Sequence, residues 1–331
     1  MRPSALFRSL SAFLLLLLLL LTANPSLALR FAVISDTQGL DTRHVVNTQV
    51  LREVQDRILE LSPRPSFVVV TGDLAIVGGE PDGRTHFADW TQAMRPLAEA
   101  GIAVWPVVGN HDLYVNGIFG MQYRWLQDAF IKAFPDVPRN GPEDYEGLAY
   151  SFEDRDSGSF FAVIDTYHIP KAMEDIVYTR RGHLRDEQLN WLDEKLAETK
   201  AKHRFVFGHN PVFSPLDHEQ ACAGNWCDLW KIMSRGGARV YFCGHDHLYS
   251  RKVIEAGTHP SAESGMLQVI TPTAGGKPTK IDKLTLDDSW HLWSGHGFVV
   301  VDVDGDTISV TAWGRGPHGW EHIDGFDIKS Y

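Results

Sequence analysis

The stretch RFAVISD, Arg30 to Asp36, is an apolar run that ends on an aspartate. Such a run reads as a buried strand, with Asp36 at its carboxyl end. The same arrangement recurs along the chain. SFVVVT (66–71) leads into Gly72 and Asp73, and IAVWPVV (102–108) into Gly109, Asn110 and His111. RFVFG (204–208) leads into His209, and RVYFCG (239–244) into His245 and His247. Helical patterns are expected near 43–61, 85–100, 119–134, 185–200 and 228–235, with a further strand at SFFAVID (159–165). The C-terminal part reads as β-rich, with MLQVI (266–270), FVVVDV (298–303) and TISVTAW (307–313). Alternating strands and helices predict an α/β fold. In open α/β sheets, ligands bind beyond the carboxyl ends of the strands. Five strand ends that deliver Asp, Asn or His to one rim therefore predict a single polar site.

The chain has 331 residues, with 44% hydrophobic and 22% charged residues, an ordinary globular balance. Residues 1–28 read as a signal peptide. Arg2 and Arg8 precede the apolar run FLLLLLLLLTA (13–23), and Ser26 and Ala28 offer the small residues of a cleavage site. Export is the expectation, with 29–331 as one mature domain and no membrane span left after cleavage. Removal of that segment takes the formal charge from −11 to −13. So acidic a chain is a poor general binder of nucleic acid, although bound metal ions can invert the local field for a small phosphorylated substrate. Of the three cysteines, Cys222 and Cys227 lie close enough in sequence to join in an oxidising compartment. Cys243 reads as a buried thiol.

The residues at the strand ends are all oxygen and nitrogen donors. Such a set suits Mn, Fe or Zn, and there are too many of them for one tetrahedral ion. Two ions ~3.5–4 Å apart, bridged by one carboxylate, would clamp a phosphoryl group and activate a water. Taken singly, each motif has a plain structural reading: Asp36 can cap a helix and a GH pair can be a turn. GNHD at 109–112 and GHDH at 244–247 are rarer, and their order along the chain is a strong signal.

The motifs SDTQ, TGDL, VGNHD, FGHNP and CGHDH resemble those of the calcineurin-like metallophosphoesterases over about residues 30–313. The likeness is to the small, single-domain purple acid phosphatase branch, through GHNPVFSPLDH, CGHDHLYSR and DEQLNWL. It implies a four-layer α/β/β/α sandwich with two facing mixed β-sheets. It also implies a dinuclear hydrolase in which a metal-bound hydroxide attacks a phosphoester. One ion would be held by Asp36, Asp73 and His247, the other by Asp73, Asn110, His209 and His245. His111 would bind phosphate oxygen or donate a proton to the leaving group. Asp112 would orient His111, or else cap the following turn, and His218 would reach the substrate from its loop.

Two departures stand out. The family places a histidine two residues after the first aspartate, or a tyrosine three residues after the second; here Gln38 and Ile76 stand there. Gln38 can offer its amide oxygen as a weaker, neutral ligand. Without the tyrosine, the iron–tyrosinate colour is not expected. Phosphomonoesters are the leading substrate class, with diesters or nucleotides as the alternative. A metal- or phosphate-binding protein that has lost one site is the rival of another class. Oligomeric state is not legible.

Overall fold

The computed structural model describes residues 29–77, 84–115, 120–216, 222–257, 261, 265–284, 286 and 289–329. The segment 1–28 and His218 lie outside them. In chain order the strands are β1 Leu29–Ile34, β2 Gln38–Asp41, β3 His44–Val46, β4 Phe67–Val70, β5 Ala103–Pro106, β6 Met121–Tyr123, β7 Tyr150–Asp154, β8 Ser159–Val163 and β9 Asp175–Val177. They continue with β10 His203–Phe207, β11 Val240–Cys243, β12 Tyr249–Ile254, β13 Met266–Ile270, β14 Trp290–Trp293, β15 Gly297–Asp304, β16 Thr307–Gly316 and β17 Gly319–Lys329. The helices are α1 Thr48–Leu59, α2 Arg84–Glu99, α3 Arg124–Ala133, α4 Asp186–Glu198 and α5 Asn225–Arg235.

The strands form two large mixed sheets, ordered β17-β16-β15-β1-β4-β5 and β14-β12-β13-β11-β10-β8-β7. In the first, β1, β4 and β5 run parallel; in the second, β8, β10, β11 and β13 do. The two-residue period of a strand sorts its side chains between faces. Phe161, Phe205, Phe207 and Phe242 point inward, while Phe160, Ala162, Val206 and Tyr241 point outward to α4 and α5. Phe31 joins the two sheets. Its ring stacks on Phe67 at 5.2 Å and meets Phe161, Phe205, Phe207 and Phe242 edge-on at 5.5, 5.2, 6.2 and 6.4 Å. Helices α1 to α3 bury Leu51, Val54, Phe87, Leu97, Leu126 and Phe130 against the other side of the first sheet. The expected α/β/β/α sandwich is therefore present.

Some boundaries moved. The helical pattern near 43–61 opens as a hairpin, β2 with β3, and α1 starts only after Asn47, whose side chain accepts from the amide of Val50. The pattern near 119–134 begins as β6 before α3. The sequence does not lead one to expect strands β7, β9, β12, β14 and β17. Cys222 and Cys227 form a disulfide beside the start of α5, and Cys243 is a buried free thiol in β11.

Candidate metal centre

The carboxyl ends of β1, β4 and β5 face those of β10 and β11, and the loops beyond them meet. Backbone bonds tie these loops together: Asp36 N–H to Gly72 O (3.1 Å), Gln38 N–H to Asp73 O (3.1 Å) and Gly244 N–H to His209 O (2.9 Å). The carboxylate of Asp36 accepts from His245 N–H at 3.2 Å, and Asp73 Oδ1 from His111 N–H at 2.8 Å. The approach is close enough that a Cβ on Gly72 would run into the His209 ring, and one on Gly109 into Asp73. Four of the candidate ligands hold positive φ, namely Asp36 (51°), Asp73 (53°), His245 (70°) and His247 (53°). Non-glycine residues rarely sit there, and such strain clusters at functional sites.

Two groups of potential ligand atoms result: Asp73, His209 and His245, and Asp36, Asp73 and His247, each within 4.8 Å of one another. Asp73 belongs to both. Asn110 Oδ1 lies 3.1 Å from His209 Nε2 and 3.0 Å from His245 Nδ1, which puts it with the first group. In two of the rings the other nitrogen is held by a backbone carbonyl. His209 Nδ1 donates to Thr71 O (2.7 Å) and His247 Nδ1 to Lys277 O (3.0 Å), so each ring turns Nε2 inward. A carbonyl behind a histidine is the usual partner of a metal-binding imidazole.

The electrostatics ask for cations. Burial pushes the Asp73 carboxyl up, but His209, His111 and His245 opposite pull it well below the usual carboxylate range. Burial disfavours charge on His209 and His247, yet Asp73 and Asp36 respectively outweigh it and raise each to about 9. Burial and the neighbouring His209 hold His245 down at about 3. Two imidazoles thus hold protons to neutralise two buried carboxylates, a task that metal ions perform while releasing those protons.

Gln38 turns inward as well. Its Nε2 lies 3.2 Å from both Asp73 Oδ2 and His247 Nε2, and its Oε1 is buried with no partner among the described residues. A half-turn of the amide exchanges the two atoms without steric cost and sets the oxygen against the second group. The donor set, its burial and this orphaned oxygen all fit bound metal ions.

One sequence expectation needs correction. The Asp112 carboxylate does not orient the His111 ring. Its Oδ1 accepts from the amides of Leu74 (2.9 Å) and Ala75 (3.3 Å), and its Oδ2 from that of Gly109 (2.8 Å). It is drawn to three otherwise unsatisfied N–H groups and clamps the loop after β4 to the loop after β5. The partner of His111 is Tyr114, whose hydroxyl lies 2.5 Å from Nδ1. The sequence carries no stronger signal for it than its place three residues on in the same turn. His218 falls outside the described residues. Ile76, where a ligating tyrosine would stand, is buried.

A cavity of about 440 Å³ opens over this centre, floored by Asp73, Asn110, His111, His245 and His247, with Tyr114, Tyr178 and Arg180 at its wall. The family model for calcineurin-like phosphoesterase matches residues 29–249. The chain belongs to this family. It is a metal-dependent phosphoester hydrolase by that membership and by the ligand groups just described. Tartrate-resistant acid phosphatase type 5 of Rattus norvegicus is 25% identical over 71% of this chain and 71% of its own length. A probable cyclic nucleotide phosphodiesterase of Rhodopseudomonas palustris is 26% identical over 66% of this chain and 72% of its own. The fold matches purple acid phosphatase from yellow lupin (TM-score 0.66, 16% identity) over 91% of this chain, which spans 54% of the lupin protein. It also matches GAP50, the anchor in the inner membrane complex of Plasmodium (TM-score 0.58, 19% identity), over 92% of this chain and 89% of that one. The fold by itself therefore does not select a function.

Proposed function

We propose that this calcineurin-like phosphoesterase is an exported hydrolase of small phosphomonoesters that works with two metal ions. The observation that carries this reading is the shared carboxylate: Asp73 belongs to both ligand groups, beside a histidine that opens to the cavity. Asp36, Asp73, His247 and Gln38 would hold one ion, and Asp73, Asn110, His209 and His245 the other. Fe, Mn and Zn all suit these donors. When bound, such a pair supplies Lewis-acid charge to the phosphoryl group and a water acidic enough to react at neutral pH.

The chain's own residues do the rest. Burial, against the pull of Asp73, lowers the pKa of His111 and favours its neutral ring. Burial also raises the Tyr114 phenol, which therefore keeps its proton beside the ring, 2.5 Å from His111 Nδ1 and 2.9 Å from Nε2. The neutral imidazole so held would bind a phosphoryl oxygen or meet the leaving group. Export is supported by the basic and apolar segments of residues 1–28 and by the Cys222–Cys227 disulfide. Diester hydrolysis is a second reading, favoured by the likeness to the Rhodopseudomonas protein.

The test is metal analysis of the mature protein alongside hydrolysis of aryl phosphate mono- and diesters, with Mn, Fe, Zn and chelator. Two metals per chain and chelator-sensitive turnover of the monoester are expected. One tightly held metal with no turnover under any ion would make the chain a binding protein, with Gln38 marking a lost site.

A further inference from the structure

We propose that Arg180 forms a second anion subsite at the mouth of the cavity, so that the preferred phosphoester carries a further negative group on a ring-sized leaving group. This rests on the phosphoesterase reading and refines its substrate.

Arg180 is placed rather than loose. Its carbonyl accepts from Tyr167 Oη (3.1 Å) and from Asn210 Nδ2 (2.7 Å), and Asn210 directly follows His209 of the candidate centre. The backbone at Arg180 is thus fastened to the same strand end that delivers a metal-ligating ring. Its guanidinium reaches towards Asp246, the residue between His245 and His247, but stops at 3.9 Å, too far for a hydrogen bond. Asp246 Oδ2 is already taken by Ser214 Oγ at 2.6 Å. The Arg180 side chain is 55% exposed, and an ion pair so open to water holds it weakly. Among the described residues its planar fork has no closer partner, and it can meet a carboxylate or phosphate in bidentate fashion.

The surroundings give that anion its frame. Among the described residues lining the cavity, Arg180 is the only permanently charged cation. Tyr114 and Tyr178 stand beside it with ring centroids 6.0 Å apart and edge to face, and Met121 and Leu216 add apolar surface. Aromatic walls of this kind take a flat ring. A substrate whose reacting phosphate sits over the histidines would lay its ring against the tyrosine pair and present a distal anion to Arg180. On a chain this acidic, that single cation also offsets the repulsion that a doubly anionic substrate meets on approach.

Three substrates test this on the metal-loaded enzyme: phenyl phosphate, 4-carboxyphenyl phosphate and 1,4-phenylene bisphosphate. Each is assayed with the wild type, Arg180→Gln and Arg180→Lys, and comparing proteins on one substrate cancels its intrinsic reactivity. In Arg180→Gln the ratio of kcat/KM for a charged substrate to that for phenyl phosphate is expected to fall about tenfold, mainly through KM. Arg180→Lys should recover part of it. A fall with both charged substrates, or with the bisphosphate alone, supports the subsite and tells a general anion from a phosphate. An equal fall with all three substrates would put the guanidinium on the reacting phosphoryl group and overturn the subsite, as would unchanged ratios. A wild type that turns over none of the three would instead overturn the phosphomonoesterase reading itself.

Discussion

A buried carboxyl with one oxygen unpartnered is a costly residue, and Asp165, at the end of β8, is one. Its Oδ1 accepts from Tyr167 N–H at 2.7 Å, while its Oδ2 has no hydrogen bond. Burial raises its pKa to about 7. The ring of His168 lies 3.8 Å from that oxygen, and burial holds its pKa at about 4, against Asp144 on its far side. The two groups act on stability in opposite directions. Native Asp165 keeps a proton that the unfolded chain loses, so its contribution falls as pH rises from about 4 to about 7. Native His168 lacks a proton that the unfolded chain holds, so its contribution rises from about pH 4 to about 6.5. Asp165→Asn removes the first and leaves the second. The variant should be the more stable protein at pH 8, by up to about 4 kcal/mol, and should lose that advantage towards pH 4. Urea titrations of both proteins at both pH values check this; an equal difference at pH 8 and pH 4 would mean Asp165 is not burdened by burial.

Elements followed the sequence where periodicity was strong, and departed from it where pairing decided. The buried runs of β1, β4, β10 and β11 and the amphipathic α4 were legible because their patterns reflect burial on one or both sides. Strand β17 was not, since GWEHIDGFDIK mixes glycine and acid, and it becomes a strand only by pairing with β16 at the sheet edge. The hairpin β2–β3 was hidden in the same way. The loops between elements also hold a prediction. Asp112 joins the turns after β4 and β5, so Asp112→Ala leaves three buried amides unsatisfied, each costing about 1–3 kcal/mol. That variant should lose several kcal/mol of stability, together with metal from the group to which Asp73 and Asn110 contribute. Denaturant titration and metal analysis measure both. Full stability with slow turnover would restore a direct catalytic role for Asp112.

At the scale of the whole molecule, the candidate ligands divide between the sheets. Asp36, Asp73 and Asn110 follow strands of the first, while His209, His245 and His247 follow strands of the second. Bound ions would tie one sheet to the other, and whatever binds only the folded state adds to its stability. Chelation should therefore lower Tm by at least ~5 °C, and metal should restore it. An unchanged Tm would show that no bound ion ties one sheet to the other. The same pairing of sheets keeps Gln38 within 3.2 Å of His247, 209 residues away along the chain.

Sequence alone determined the α/β class, the strand ends and the kinds of ligand they carry, because burial period and donor chemistry are local properties of the chain. Asp36, Asp73, Asn110, His209, His245 and His247 could all be named from it. Only the tertiary structure decided which of them share an ion's reach, that Asp112 clamps loops rather than orienting His111, and that Tyr114 and Arg180 face the cavity. Those facts depend on where two sheets and their loops meet, and a contact between distant segments leaves no period in the sequence to read.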